Sequence, residues 1–126
     1  DKATGEMTYT PYNSLTTFIN TVYGKKYQVG LFGGYMKNLG TKDALYNFGT
    51  TASPSAITPG LLTNALSIYR IAPHFAVNIS KVRCVLEYEV TTAKYGTGSI
   101  NTTDGLYSTS VNATNHRAML MFMYSF

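Results

Sequence analysis

The chain has 126 residues, ten Lys and Arg against six Asp and Glu for a net charge of +4, eleven Tyr, no Trp and a single Cys. Charged residues are 13% of the total, where a soluble domain typically carries about 25%, so the surface is short of charge. One Cys excludes an internal disulfide, and basic residues whose only adjacent pair is Lys25-Lys26 argue against a nucleic-acid partner.

The length allows one domain at most. The opening "DKATGEMTYT" has neither the basic start nor the apolar run of a signal peptide. No stretch reaches the ~18 consecutive apolar residues of a membrane helix. On these grounds the chain reads as a mature product or as a piece of something longer.

In chain order, "LTTFINTVY" at 15–23 is rich in β-branched and aromatic residues and predicts a strand. "GKK" breaks it, and a second strand is expected at 26–40, the two forming a hairpin. In this second strand Tyr27, Val29, Leu31, Gly33 and Tyr35 share a face, opposed by Lys26, Gln28, Gly30, Phe32 and Gly34. Small residues on that opposed face suit a curved or crowded sheet. Residues 41–66 are polar and predict a long loop, within which "LLTNAL" predicts one helical turn.

A third strand is expected at 67–78, with Tyr69, Ile71, Pro73, Phe75 and Val77 alternating against Arg70, Ala72, His74, Ala76 and Asn78. After the short "NISK", a fourth at 82–95 sets Val82, Cys84, Leu86, Tyr88 and Val90 against Arg83, Val85, Glu87, Glu89 and Thr91. Cys84 lies on the apolar side, as a small hydrophobe does. Residues 96–115, rich in Thr, Ser, Asn and Gly, predict a second long loop. The closing "HRAMLMFMYSF" at 116–126 predicts a fifth strand, with Ala118, Leu120, Phe122, Tyr124 and Phe126 on one face and Arg117, Met119, Met121, Met123 and Ser125 on the other.

Short and long connections alternate along the chain. In an antiparallel sheet successive connections fall at opposite ends, so one end carries only tight turns and the other only long loops. Bacterial outer-membrane barrels have that asymmetry, and strands of roughly 9 to 14 residues bracket the ~9–11 needed to cross a bilayer at a tilt. The predicted class is all-β, an antiparallel transmembrane β-barrel of which these are about five C-terminal strands.

The closing strand, with Leu120, Phe122, Tyr124 and a final Phe126, resembles the C-terminal strand of Gram-negative outer-membrane β-barrels, and "YQVGLFGGYMKNLGT" and "YRIAPHFAVNISKVRCVLEYEVTTAKYG" resemble strands of porin-like barrels of the Bacteroidota type. The resemblance implies that Phe122, Tyr124 and Phe126 form the signal read by the barrel-assembly machinery, that the strand ends at the periplasmic rim, and that the protein lies in the bacterial outer membrane among its lipids. It implies passive passage of small solutes or nutrients, with no enzymatic activity and no cofactor. Tyr23, Tyr27, Phe75, Tyr124 and Phe126 are then expected near one membrane interface, and Tyr35, Tyr69 and Tyr95 near the other.

The residues pointing away from the apolar faces are expected to line the lumen: Lys37, Arg70, His74, Arg83, Glu87, Glu89 and Arg117, with Asn78 among them. In a soluble sheet they would form an ordinary solvated face. Arg70, Arg83 and Arg117 against Glu87 and Glu89 predict partial pairing and a net positive wall favouring anionic solutes. His74 and His116, the only histidines, have no Cys or carboxylate at ligand spacing, and no nucleophile-base set can be drawn around them or Cys84. The Gly-rich "GLFGG" sits inside a strand and is no phosphate loop. The sequons at Asn78, Asn101 and Asn112 are attributed to chance in an Asn- and Thr-rich chain.

Five strands cannot close a membrane barrel, since such barrels start at about eight. The remaining strands are expected from the rest of a longer protein or from other copies in an oligomer. Two alternatives are a soluble β-sandwich binding domain of lectin-like or capsid-like kind, and an outer-membrane barrel with an adhesion or assembly role.

Overall fold

The computed structural model describes residues 9–45 and 64–126. Five strands follow one another as an antiparallel meander: β1 (Tyr12–Gly24), β2 (Tyr27–Thr41), β3 (Ala65–Ile79), β4 (Val82–Ile100) and β5 (Tyr107–Tyr124). They form one open sheet in the order β1-β2-β3-β4-β5. The fold is all-β, and no helix among the described residues is long and apolar enough to cross a membrane. β1 and β2 are joined through Lys25-Lys26, and β3 and β4 through Ser80-Lys81, whose serine takes a φ of 52°.

The last connection differs from expectation. Residues 96–115 are mostly paired strand rather than loop: β4 runs on to Ile100, β5 begins at Tyr107, and only 101–106 link them. Threonine is a good strand former, and its hydroxyls bond across the ladder here. Thr97 Oγ1 lies 2.9 Å from Thr109 Oγ1, and Ser99 Oγ 3.2 Å from Ser108 Oγ. Most of the loop expected at 41–66, and the first half of the helical turn expected at 61–66, lie outside the described residues; Ala65 and Leu66 belong to β3.

The 101–106 turn is fastened to the far side of β3. Thr41 N donates to Asp104 O at 2.8 Å and Leu45 N to Thr102 O at 2.6 Å. The Tyr12 hydroxyl donates to Gly105 O at 2.8 Å. The turn thus ties the β4–β5 end, as a strap, to the ends of β1 and β2 on the other side of β3 in the strand order. Gly40 makes room for it: its φ is +79°, and an added Cβ would lie 2.2 Å from Asp104 O.

No second layer covers the sheet among the described residues. The buried apolar side chains are Ala65, Ala72, Ala76, Val85 and Ala93, and no large side chain is fully buried. A soluble domain of this size builds its core from larger residues, so these strands do not enclose a core of their own. Pro73 lies in the central strand and has no N–H to give the ladder. The β3–β4 pairing is interrupted there, between Ile71↔Val90 and His74↔Glu87.

Candidate functional site

Residues directly paired across an antiparallel ladder lie on the same face, so the registers assign every side chain. One row runs Tyr23↔Val29↔Phe75↔Leu86↔Leu120 through all five strands. Another runs Ile19↔Gly33↔Ile71↔Val90↔His116. Together with Leu15, Tyr27, Leu31, Tyr35, Tyr69, Ile79, Tyr88, Phe122 and Tyr124, these residues make an apolar face that stays open to the surroundings.

The borders of this face are slanted. At the tight-turn end, Tyr23 is level with Val29, two residues inside Tyr27; Tyr27 is level with Val77, two inside Ile79; and Ile79 is level with Val82 and Tyr124, two inside Phe126. At the other end, Leu15 is level with Lys37, two beyond Tyr35; Tyr35, Tyr69 and Thr92 are level; and Val90 is level with His116, two beyond Ala118. Each border descends by three two-residue steps over four interstrand steps, about 1.5 residues per strand. With ~3.4 Å per residue and ~4.8 Å between strands, a horizontal border means strands tilted by about 45°. On β3 the face runs from Tyr69 to Ile79, ten residue steps or ~34 Å along the strand and ~24 Å in projection.

The opposite face carries a polar cluster drawn from three adjacent strands. Glu89 on β4 is its pivot: one carboxylate oxygen accepts from Arg70 Nη2 at 2.5 Å and from Arg117 Nη2 at 2.9 Å, and the other from Thr91 Oγ1 at 3.2 Å. Arg117 also reaches Glu87 Oε1 at 3.3 Å. The Glu89 side chain is 9% exposed, against 44% and 51% for the two arginines. His74 pairs with Gly30 and Glu87, and its ring lies over Gly30, where an added Cβ would come within 2.2 Å of it. Arg83, paired with Asn78 and Met123, shares the face and makes no ion pair among the described residues.

Arg70, His74, Arg83, Glu87, Glu89 and Arg117 therefore share one face. Two arginines are balanced by two glutamates, and Arg83 supplies the excess positive charge. Lys37 is a correction: it pairs with Leu15 and Ser67, on the same side as Tyr35, and so belongs to the apolar face just past its border. Tyr95 is a second correction. It pairs with Val111 on the polar side, where it joins Ile68, Arg70, Glu89, Thr91 and Asn115 around a hollow of about 410 Å³. Tyr35 and Tyr69 pair directly and are level with Thr92, not with Tyr95.

The polar face is not uniformly polar. Phe18 and Phe32 stack there with ring centroids 6.4 Å apart, and the register places Met119, Met121 and Met123 on its β5 margin. Phe122 and Tyr124 pair with Cys84 and Val82 on the apolar face, and Phe126 packs edge-on against Tyr124 at 5.4 Å.

Two features escaped the sequence pattern. Tyr88 and His116 meet on the apolar face, hydroxyl to Nδ1, at 2.8 Å, giving each polar atom a partner where few others are in reach. Lys94 pairs with Ser67 and Asn112, level with Lys37; counting by twos from Val82 would have found it. Among the described residues no group of three or more His, Cys, Asp or Glu could hold a metal ion. Comparison with protein-family models, with curated proteins and with solved structures finds no match.

Proposed function

We propose that the chain supplies five neighbouring strands of a porin-like β-barrel in the outer membrane of a Gram-negative bacterium, where it contributes to passive passage of small solutes. The observation that carries this reading is the slanted, exposed apolar band. A membrane is bounded by two parallel planes, so a barrel with tilted strands must carry its apolar residues in a strip oblique to its ladder rows. The tilt of about 45° and the projected height of ~24 Å agree with the ~35–45° tilt and ~25 Å lipid-facing band of membrane barrels. Leaving such a band in water would forgo about 25 cal/mol of stabilisation for each Å² of apolar area that stays wet, whereas lipid takes that area out of water.

The Arg70–Glu89–Arg117–Glu87 cluster then faces the lumen. Fixed charges on a channel wall favour passage of counter-ions, and the unpaired Arg83 gives this arc a mild preference for anions. No bond is made or broken in such passage.

The test combines a gel and a conductance measurement on protein extracted from native membranes. A detergent-dependent species whose mobility changes on heating, and which forms ion-conducting pores in planar bilayers with anion-favouring reversal potentials, is the expected result. A species soluble without detergent and without heat-modifiable mobility would instead mean a β-sandwich, with a second sheet covering the apolar face. Pores selective for cations would keep the barrel and overturn the solute preference.

A further inference from the structure

We propose that Lys37 and Lys94, on either side of Ser67 at the loop-end border of the apolar band, bind the phosphate of a membrane-lipid headgroup. This inference rests on the barrel reading above and assigns that barrel a lipid partner at a particular place.

The registers put the site together from three strands. Lys37 on β2 pairs with Ser67 on β3, and Ser67 pairs with Lys94 on β4. Neighbouring strands are ~4.8 Å apart, so the two lysine backbones are about 10 Å apart with the serine midway. Lysine carries its ammonium on a flexible four-carbon stem, and two such stems can converge on one group above Ser67. Asn112, paired with Lys94, adds an amide donor to the same row.

Both lysines are exposed, and neither is neutralised within the sheet. The ion pairs among the described residues all join Arg70 or Arg117 to Glu87 or Glu89, on the opposite face. The row Leu15–Lys37–Ser67–Lys94–Asn112 contains no carboxylate. Two ammonium charges, a hydroxyl and an amide, with no competing acid, match a phosphate.

Depth identifies its source. Lys37 and Ser67 lie one two-residue step beyond the Tyr35–Tyr69 pair, and Lys94 two such steps beyond Val90 on the slanted border, ~5 Å and ~10 Å above it in projection. Tyrosines at a band's border sit at headgroup level, and lysines there run their stems along the apolar surface and hold the charge at the interface. A phosphate esterified to a lipid is anchored at that depth, whereas a free phosphate is not. At the other border the lysines lie in or beside the turns, and Lys26 is held over the Tyr27 ring at 5.7 Å; no comparable row of donors exists there among the described residues.

Native mass spectrometry of the membrane-extracted protein in nonionic detergent tests the site, with short-chain phosphatidylglycerol as the probe. Wild type and K25Q/K26Q are expected to retain the lipid. K37Q/K94Q is expected to weaken its binding by about thirtyfold, the loss of two lysine contributions at an anionic surface. S67A, K37Q and K94Q are expected to fall in between, and they carry the test if the double variant loses its heat-modifiable mobility. Unchanged lipid binding by K37Q/K94Q overturns the site. Displacement of the lipid by an equal concentration of inorganic phosphate means a free-anion site and overturns the lipid assignment. A wild-type protein that needs no detergent overturns the barrel reading itself, which the extraction step reveals separately.

Discussion

Glu89 concentrates more of the polar face on one carboxylate than any other residue, because two guanidiniums from flanking strands converge on it. Replacing it by Gln leaves Arg117 with Glu87 and Arg70 with no acid partner among the described residues. The expected outcome for E89Q is a reversal potential shifted towards anions, measured in planar bilayers under a salt gradient; a shift towards cations, or none, would remove the cluster from the pathway. Two glycines of β2 make a sharper contrast. Gly30 lies under the His74 ring, whereas at Gly33 a new Cβ would meet only Ile19 Cγ2, at 3.4 Å. G30A is expected to lower unfolding stability by about 1–3 kcal/mol through overpacking, and G33A to change it by less than about 0.5 kcal/mol, as read from urea unfolding in detergent. Equal effects would mean that the ring does not rest on Gly30. The alternation of β2 makes the two faces legible in sequence; which face has a ring leaning on the backbone depends on the partner strand.

At the scale of elements, the strap at 101–106 ties the β4–β5 hairpin to the ends of β1 and β2. It is held by the Thr41–Asp104, Leu45–Thr102 and Tyr12–Gly105 hydrogen bonds. G40A puts a methyl group against Asp104 O and is expected to detach the strap. Limited proteolysis should then cut within 101–106 several-fold faster than in wild type, while the heat-modifiable mobility persists. An unchanged cleavage rate would mean that the strap stays in place without the β2 contact. The strap was not legible in the sequence because its bonds are backbone to backbone across widely separated segments. The Thr- and Ser-rich run around it resembles a loop in composition, yet its hydroxyls pair across the ladder, as at Thr97 and Thr109. Polarity there marks strand standing beyond the apolar band, and a reading that equates polar with loop ends β4 too early.

At the scale of the whole molecule, strand direction constrains closure. Four antiparallel steps separate β1 from β5, so these two edge strands run the same way. An all-antiparallel barrel therefore needs an odd number of strands between β5 and β1, and at least three to reach the ~8 of the smallest membrane barrels. Copies of β1–β5 joined head to tail would pair β5 with β1 in parallel. The band itself predicts another asymmetry. Leu31 lies midway along its β2 stretch, and L31R is expected to cost about 2–4 kcal/mol of stability in lipid. M121R on the opposite face should cost less than about 1 kcal/mol. Similar losses for both, measured by urea unfolding in vesicles, would mean that the two faces share one environment.

What the sequence determined by itself was local: five stretches of period two, a tight turn after the first and third, and an aromatic-rich side to each strand. These follow from side-chain alternation and turn chemistry, which need no distant partner. Even Lys37 was assignable, since counting by twos from Tyr27 puts it with Tyr35 rather than with Arg70. Only the tertiary structure decided the registers. They turned five separate apolar faces into one slanted band, gathered Arg70 and Arg117 around the Glu89 carboxylate, and set Lys37 and Lys94 beside Ser67. Register depends on hydrogen bonds between strands that lie tens of residues apart, and alternation within one strand is the same whichever neighbour it meets.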